Sequence, residues 1–336
     1  MGSHSTISLD AMSGDLGAEV VVRAAARCLK KYVHLDLILV GDESELSELV
    51  ERIVGDEPRL HIQHASEIVG MSEAPVEALR KKKDSSMRVA INLVKSGEAD
   101  ACVSAGNTGA LMATAKFVLK MLPGIDRPAI IAELPSIGGS LHMLDLGANT
   151  QSSAEHMFQY AVMGSIVTSD ILGIEKPKVA LLNIGAEDTK GHGTIKDAAT
   201  LLQNSSLNYV GFIEGSDLFS GKADVVVTDG FTGNVALKTM EGTVGLAKYY
   251  LRRAFTRNWM TKLQALLARP VLRKLAVEMD SRNYNGATLV GLNGIVIKSH
   301  GSADAYAFQH AIDTAVVEVR NQLPQQIGAL LQKETA

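Results

Sequence analysis

Short apolar runs alternate with longer amphipathic segments along almost the whole chain. The predicted strands include TISLDAM, LDLILVGD, RLHIQHAS, PAIIAEL and PKVALLNIGA. The predicted helices include GAEVVVRAAARCLKKY, ESELSELVERIV and APVEALRKKKDSSMRVAINLVKSGEA, the last being long enough for one or two helices. Strands that alternate with helices typically form a mainly parallel sheet with helices on both faces. The pattern therefore predicts a three-layer α/β/α fold, and residues 1–336 fit one bilobal body.

One motif, A-D-x-x-V-[S/T]-x-G-x-T-G, begins at Ala99 and again at Ala223. Each copy starts as an apolar strand, turns through glycines and continues as a helical pattern. Backbone N–H groups in such a turn, beside the positive end of a helix, form an anion site. The two copies predict two facing turns that hold phosphate and a reacting carbonyl. The alternative is that both segments converged independently on the same strand–turn–helix structure. The candidate binding residues are Asp10, Ser104, Gly106, Asn107, Thr108, Gly109, Asp229, Gly230, Thr232 and Gly233.

Small and polar residues follow five of the apolar runs directly. The segments are SAGNTG, DLGAN, NIGAEDTKG, TDGFTG and SHGSAD. Because the carboxyl ends of parallel strands meet at one edge of a sheet, we expect these loops to share one cleft. The alternative for each single loop is an ordinary turn, since Gly, Asn and Asp mark turns in any fold.

Several familiar kinds of site are missing from the sequence. It contains no Walker A sequence, no G-x-G-x-x-G, no H-E-x-x-H and no G-x-S-x-G, so no nucleotide cofactor, metal site or serine nucleophile is expected. The net charge of −4 argues against a nucleic acid partner. The two cysteines, Cys28 and Cys102, are expected to be core thiols in a reducing cytoplasm. The first residues, MGSHS, lack the apolar region of a signal peptide, and no apolar run approaches the length of a membrane span.

Seven motifs in the same order resemble one family over essentially the whole chain. They are LDAMSGD, SAGNTGALMA, GIDRPAI, LDLGAN, ALLNIGAEDTKG, DVVVTDGFTGNVALKTMEG and VIKSHGSAD. The chain resembles the PlsX family, the acyl carrier protein:phosphate acyltransferases of bacterial phospholipid synthesis. The resemblance implies transfer of a long-chain acyl group from acyl carrier protein to inorganic phosphate, without a covalent acyl-enzyme and without a cofactor. Ser13 and Ala18 stand where the family usually has glycine and proline, which affects only the expected shape of the first loop.

The resemblance also implies a fold related to phosphotransacetylases and isocitrate dehydrogenases, a homodimer, and peripheral attachment to the membrane. The acyl phosphate product would supply a downstream glycerol-3-phosphate acyltransferase for phosphatidic acid synthesis. Three rival functions remain open from the residues alone. They are a phosphotransacetylase that uses coenzyme A, a nicotinamide-dependent decarboxylating dehydrogenase of related fold, and a non-catalytic protein that binds lipids or anions. The dehydrogenase would need clustered aspartates for a divalent metal, and the sequence shows no such cluster.

Three residues are candidates for catalysis. Lys190 has the position of a solvated loop lysine, but the resemblance assigns it to activity, where it would neutralise phosphate and the developing oxyanion. Asn234 is either a helix-capping residue or, as the resemblance implies, an amide aimed at the carbonyl or phosphate. His300 could protonate the leaving thiolate, since histidine titrates near neutral pH. The alternative is that His300 orders its loop.

Two basic segments suggest surfaces for partners. Arg80, Lys81, Lys82 and Lys83 form either a docking patch for the acidic carrier protein or a solvated helix face. The segment Gly245–Met279 holds eight Lys or Arg and one Glu, a net charge of +7. It also holds the only tryptophan, Trp259, beside Met260, and Pro270 separates two helical stretches. A basic amphipathic hairpin of this kind either contacts an anionic membrane or packs in a dimer.

Overall fold

The computed structural model describes residues 4–187, 189–278 and 280–335. The strands are β1 (Ser5–Asp10), β2 (Leu35–Gly41), β3 (Leu60–His64), β4 (Ala101–Ser104), β5 (Ala129–Ser136), β6 (Gly139–Leu144), β7 (Val179–Leu182), β8 (Tyr209–Ile213), β9 (Val225–Val227), β10 (Ala287–Val290) and β11 (Ile295–Lys298). The helices are α1 (Ala18–Lys31), α2 (Glu43–Ile53), α3 (Pro75–Lys81), α4 (Ser86–Ser96), α5 (Thr108–Leu119), α6 (Ala154–Leu172), α7 (Gly193–Gln203), α8 (Gly230–Thr256), α9 (Trp259–Leu267), α10 (Arg269–Glu278), α11 (Ala305–Arg320) and α12 (Leu323–Thr335).

The strands form one sheet in the order β3-β2-β1-β4-β11-β10-β5-β6-β9-β7-β8. Strands β3, β2, β1, β4 and β11 are mutually parallel, and so are β6, β9, β7 and β8. Three antiparallel pairings, β11–β10, β10–β5 and β5–β6, join the two parallel halves. Helices cover both faces, so the predicted three-layer, mainly parallel fold is confirmed. We call the half of the sheet with β1, β4 and β11 the first lobe and the half with β6, β9 and β7 the second lobe.

The direction of the strands divides the loops into two groups. Because three antiparallel steps separate β11 from β6, the two parallel halves run in opposite directions. The carboxyl ends of β1, β4 and β11 define a first edge of the sheet, and those of β6, β9 and β7 define a second edge. The five glycine-rich loops therefore do not share one edge, and the expectation of a single cleft in one chain is wrong. The two copies of the repeat lie on opposite edges, five strand spacings or about 24 Å apart along the sheet.

Three apolar clusters fix the helices on the sheet. On one face, α1, α2 and α11 cover the first lobe, while α6, α7 and α12 cover the second. On the other face, α4, α5 and the first turns of α8 pack in one cluster that spans both lobes. Helix α5 starts at the first edge, where β4 ends, and therefore ends at the second edge. Helix α8 starts at the second edge, so the end of α5 and the start of α8 share one face and one edge.

The basic segment leaves the body as a helical projection. Gly245 lies inside α8, and α9 folds back against α8 after the break at Arg257 and Asn258. Pro270 is the second residue of α10 and follows a second break at Ala268, so the main reversal comes before the proline. Met279, the last residue of the predicted hairpin, lies outside the described residues. Among the residues that the structure describes, no helix is long and apolar enough to cross a membrane.

Candidate active site

The second edge is built around the buried carboxylate of Asp145, the residue that follows β6. Its Oδ1 accepts hydrogen bonds from the N–H groups of Ile130 (3.0 Å), Gly147 (3.2 Å) and Ala148 (2.9 Å). Its Oδ2 accepts from the backbone N–H and side-chain amide of Asn149, at 2.7 and 2.9 Å. Burial raises the pKa of Asp145, although these donors act in the opposite direction. Asp145 thus holds the loop 145–149 in a fixed shape beside the start of β5.

The glycines of the second repeat let α8 pack closely on that loop. A Cβ atom at Gly233 would lie 1.9 Å from the carbonyl oxygen of Asp145. A Cβ atom at Gly230 would lie 2.5 Å from the carbonyl oxygen of Asn149 and 2.7 Å from Asp145 Oδ2. Both approaches are far inside ordinary contact, so only glycine fits at either position. The glycines therefore have a packing role, in addition to any role in anion binding.

Asp229 and Thr232 form the cap of α8. The Asp229 carboxylate accepts a hydrogen bond from the N–H of Thr232 at 2.9 Å, the usual N-cap geometry. The hydroxyl of Thr232 donates to the other carboxylate oxygen at 2.7 Å. Asp229, a candidate binding residue, is therefore the N-cap of α8, and a bound anion would have to share the Thr232 hydroxyl with Asp229.

Asn234 presents a free amide at the start of α8. It is half-buried and lies against Gly147, where an added Cβ would be 3.5 Å from Asn234 Cβ. Asp229 makes the capping bond, so Asn234 is not the cap. Within the described residues, the amide of Asn234 has no hydrogen-bond partner and remains available to a ligand.

Lys190 lies on the loop after β7, which is next to β9 in the sheet. Asn183 shapes this loop by donating from its amide to the carbonyl of Lys190 at 3.2 Å and accepting from the N–H of Ile184 at 2.9 Å. Gly191 has φ +89°, and a Cβ there would lie 2.5 Å from Asn183 Oδ1. The side chain of Lys190 is exposed and makes no ion pair among the described residues, although Asp188 lies outside them. The loop after β7 thus carries a cation that has no ion pair within the described residues. Strand β7 is next to β9, and β9 leads to Asn234.

The first edge contains a second, more deeply buried polar group. Asp10 Oδ2 accepts from the hydroxyls of Ser13 and Ser104, at 2.5 and 2.6 Å, and its Oδ1 is buried without a partner among the described residues. Burial raises the pKa of Asp10. Burial also lowers the pKa of Lys298 to about 8, while the charges of Asp10 and Asp15 oppose that change. The first edge therefore contains a buried carboxylate and a half-buried amine.

Most polar groups of the first repeat are used within the fold. The side chain of Asn107 accepts from the N–H of Ala110 at 2.9 Å and donates to the carbonyls of Met71 (2.6 Å) and Glu73 (3.3 Å). Cβ atoms at Gly106 and Gly109 would press on the side chains of Met87 and Pro75, at 2.5 and 2.8 Å. Thr108 is exposed and starts α5. Of these candidates, Thr108 is the one whose side chain stays open to a ligand.

His300 lies on the first edge, after β11. Its Nδ1 accepts from the N–H of Ser302 at 3.2 Å and contacts the hydroxyl of Ser302 at 2.8 Å. The backbone N–H of His300 donates to the side-chain oxygen of Asn285 at 2.9 Å. These bonds fit the loop-ordering interpretation, and in one chain His300 lies on the edge opposite to Lys190 and Asn234.

The basic run at 80–83 also belongs to the first edge, because α3 packs on the start of α5. Lys82 pairs with Glu73 at 2.8 Å, and Lys81 pairs with Glu77 at 3.1 Å. Arg80 and Lys83 are exposed and have no ion pair within the described chain. Two of the four cations are thus already neutralised.

The sequence motifs contained three structurally central residues that the prediction did not single out. Asp145 and Asn149 lie in DLGAN, and Lys298 lies in VIKSHGSAD. Their burial distinguishes them from ordinary turn residues, and burial is set by distant packing. The strand-end rule that selected Asp229 was the one available signal for Asp145. Across the described residues, no group of three or more His, Cys, Asp or Glu side chains could hold a metal ion.

The chain was compared with known families and proteins. Residues 5–326 match the family described as "Fatty acid synthesis protein". A phosphate acyltransferase of Nitrosococcus oceani is 58% identical over 97% of this chain and 96% of its own length. One of Alkalilimnicola ehrlichii is 57% identical over 99% of this chain and 97% of its own length.

The chain belongs to this family of phosphate acyltransferases. The resemblance found in the sequence motifs is thereby confirmed, and the chain is an enzyme of this type. Membership at this identity decides against a dehydrogenase or a non-catalytic binding protein.

Solved structures of more distant proteins share the fold. A phosphotransacetylase from Streptococcus pyogenes superposes with a TM-score of 0.63, at 21% identity, over 94% of each chain. A 4-hydroxythreonine-4-phosphate dehydrogenase from Klebsiella pneumoniae superposes with a TM-score of 0.52, at 14% identity, over 95% of this chain and 99% of that one. These likenesses confirm the phosphotransacetylase-like fold of this family member and carry no information about its substrate.

Proposed function

We propose that this phosphate acyltransferase moves a long-chain acyl group from acyl carrier protein to inorganic phosphate at the second edge of the sheet. The observation that carries the proposal is the pair of unoccupied donors on neighbouring strand ends, the ammonium of Lys190 and the amide of Asn234. Asn234 lies near the N-terminus of α8, a helix of 27 residues whose dipole favours an anion, and Lys190 follows β7, the neighbour of the strand that leads into α8. A site with cationic and amide donors suits an anionic acyl acceptor such as phosphate.

The chemistry requires no protein nucleophile. An oxygen of hydrogen phosphate attacks the thioester carbonyl, the new C–O bond forms, and the C–S bond then breaks. The proton of hydrogen phosphate ends on the departing thiol of the carrier protein, so atoms and charges balance. Lys190 would hold the phosphate and neutralise the developing oxyanion, and Asn234 would donate a hydrogen bond to that oxyanion. His300 has no part in this step in one chain, because it lies on the opposite edge.

A phosphate-dependent release of carrier thiol tests the proposal directly. The enzyme is incubated with acyl carrier protein loaded with palmitate, with and without phosphate, and the free thiol is measured. Matched incubations with palmitoyl-coenzyme A test the alternative donor. Faster release from the carrier protein, dependent on phosphate, supports the proposal. Exclusive use of coenzyme A would replace it with the phosphotransacetylase function.

The two threonines of the repeat should now differ in their effect on phosphate use. Thr232→Val removes a hydroxyl at the second edge, and we expect the KM for phosphate to rise about fivefold, in line with about 1 kcal/mol per hydrogen bond. Thr108→Val removes the corresponding hydroxyl at the first edge, and we expect no change in that KM. Phosphate titrations at saturating acyl donor measure both. An equal rise in Thr108→Val would place the first repeat at the phosphate as well.

We propose that the projection formed by the end of α8, α9 and α10 attaches the enzyme to the surface of anionic membranes. Trp259, Leu263 and Leu267 recur at helical spacing along α9, and Trp259 and Leu267 are 74% and 76% exposed. The basic residues of the projection surround this apolar surface, and only Lys274 has an ion pair there among the described residues, with Glu278 at 3.9 Å. Arg282 fixes the base of the projection by pairing with Asp280 and Asp304. Apolar insertion combined with basic charge is the pattern of an interfacial helix.

Replacing Trp259 and Met260 with Ser should abolish most binding to anionic vesicles and leave turnover in solution unchanged. Each basic residue near an anionic surface contributes about 1 kcal/mol, so binding should also weaken as salt rises. Vesicle flotation measures the effect, with Val33→Ser and Ile137→Ser as controls because these side chains are equally exposed, at 75% and 78%. Equal recovery of the Trp259/Met260 variant and the wild type would leave packing in a dimer as the role of the projection.

The remaining partners follow from the same proposal. An enzyme held at the cytoplasmic face of the membrane would deliver acyl phosphate to a glycerol-3-phosphate acyltransferase there. The exposed apolar surface of the projection also suits a homodimer, and sedimentation equilibrium with the full chain would measure the subunit number.

A further inference from the structure

One exposed aromatic side chain on the outer face of α5 is covered by two cations. Phe117 is 53% exposed. The guanidinium of Arg88, on α4, lies 5.0 Å from the centre of its ring, and the ammonium of Lys120 lies 4.8 Å from it. Two cations at this distance from one ring repel each other, and the ring attracts both. The arrangement concentrates positive charge on an aromatic centre.

The surrounding surface adds further positive charge. Lys116 precedes Phe117 on the same exposed helix face, and Lys95 lies two turns after Arg88 on α4. We call Arg88, Lys95, Lys116, Phe117 and Lys120 the Phe117 surface. None of its four cations forms an ion pair with an acidic side chain in the described part of the chain. Unlike Lys81 and Lys82, they remain available to an acidic partner.

The backbone at Lys120 is held in an unusual conformation. Its φ is +65°, in a region that disfavours every residue except glycine. Its carbonyl accepts a hydrogen bond from the N–H of Asn293 at 3.1 Å, and the amide of Asn293 bonds the carbonyls of Leu119 and Met121. A lysine at a position suited to glycine indicates that the side chain has a use, because such strain persists mainly at functional positions.

The Phe117 surface and the proposed reaction centre lie at the same edge of the sheet. Helix α5 ends at the second edge, and residues 121–128 lead from Lys120 directly into the start of β5. There the N–H of Ile130 and the carbonyl of Pro128 bind Asp145 and Asn149. The loop of Asp145 in turn packs on Gly233 and Asn234. A partner seated on the Phe117 surface would therefore lie at the same edge of the sheet as Lys190 and Asn234.

We propose that the Phe117 surface is the docking site for the acidic carrier protein that brings the acyl thioester. The inference rests on the proposed function and adds where its protein substrate binds. The charges are complementary, since acidic helices of the carrier would face the four cations of the surface. The carrier would also pack against the exposed ring of Phe117. The run at 80–83, which the sequence favoured, lies on the first edge and has two of its four cations already paired. A lipid partner is disfavoured because Phe117 is the one large apolar group on this surface, whereas the projection carries an entire apolar helix face.

Charge reversal on the surface tests the proposal. We expect Lys116→Glu/Lys120→Glu to raise the KM for palmitoyl carrier protein at least tenfold, with kcat within twofold of the wild type. The KM for the carrier-free donor palmitoyl-coenzyme A should stay unchanged. Fluorescence anisotropy of labelled carrier protein should show the same loss of affinity, and high salt should weaken binding to the wild type.

Two further charge-reversed variants complete the design. Arg27→Glu/Lys30→Glu makes the same change in charge on exposed residues of α1, on the opposite face of the sheet, and controls for net charge. Arg80→Glu/Lys83→Glu tests the competing patch. A larger effect at residues 80 and 83, or equal effects in all three variants, would overturn the proposal, as would loss of vesicle binding with an unchanged KM for the carrier. If the wild type released no thiol from the loaded carrier, the proposed function itself would fail. If the wild type were active and Lys116→Glu/Lys120→Glu had an unchanged KM for the carrier, only the docking proposal would fail.

Discussion

Replacing Lys190 with Ala is expected to lower kcat by a factor of about 10² to 10³ while leaving the free energy of unfolding unchanged. The loss of one preorganised donor to a developing oxyanion typically costs about 2.7–4 kcal/mol of transition-state stabilisation. The side chain of Lys190 is exposed and unpaired among the described residues, so its removal breaks no contact that stabilises the fold. Steady-state kinetics and a urea titration measure the two quantities separately.

Lys176 provides a matched control for this substitution. It is also an exposed lysine, but it lies near the amino end of β7, whereas Lys190 follows the carboxyl end. Lys176→Ala should retain wild-type turnover. A Lys190→Ala enzyme with normal kcat and a normal unfolding transition would remove Lys190 from the mechanism and leave Asn234 without its cationic neighbour in the proposed site.

The local pattern of the sequence was sufficient to predict the layers of the fold. Apolar runs such as LDLILVGD and amphipathic runs such as ESELSELVERIV became β2 and α2 because strands and helices bury residues with different periods. The pattern did not show where the sheet reverses. The segment GATLVGLNGIVIKSH folds into β10 and β11, and β10 runs antiparallel to both of its neighbours. Nothing within that segment reveals this direction, because the direction depends on pairing with β5, more than a hundred residues earlier.

That reversal decided which candidate residues could act together. Lys190 and Asn234 lie on one edge, and Thr108 and His300 lie on the other, although all four follow apolar strands in the same way. The resemblance to the family identified the residues, while their grouping required the topology. Lys298 and Asp145 were missed for a related reason. A lysine or an aspartate at a strand end is usually solvated, and only the completed packing shows that Asp145 is buried and Lys298 half-buried.

The second repeat shows how one sequence signal can have two physical causes. The sequence predicts Gly230 and Gly233 as residues of an anion-binding turn, and in the structure neither has positive φ. Their lack of a side chain instead lets the N-terminus of α8 approach the loop of Asp145. This close approach sets the position of Asn234 and of the free N–H groups at the start of α8.

Gly233→Ala is therefore expected to damage both stability and activity. A Cβ at this position would lie 1.9 Å from the carbonyl oxygen of Asp145 and 3.0 Å from its carbonyl carbon, so backbone must move. Overpacking of this kind typically costs about 1–3 kcal/mol, and the displaced start of α8 would carry Asn234 out of position. We expect a lower urea midpoint and a loss of kcat comparable to that of Lys190→Ala. Gly242→Ala in the same helix is the control, because nothing lies within 4 Å of its added Cβ and alanine favours a helix by about 1 kcal/mol. If Gly233→Ala were as stable and active as Gly242→Ala, the close packing of α8 on the Asp145 loop would not position the catalytic amide.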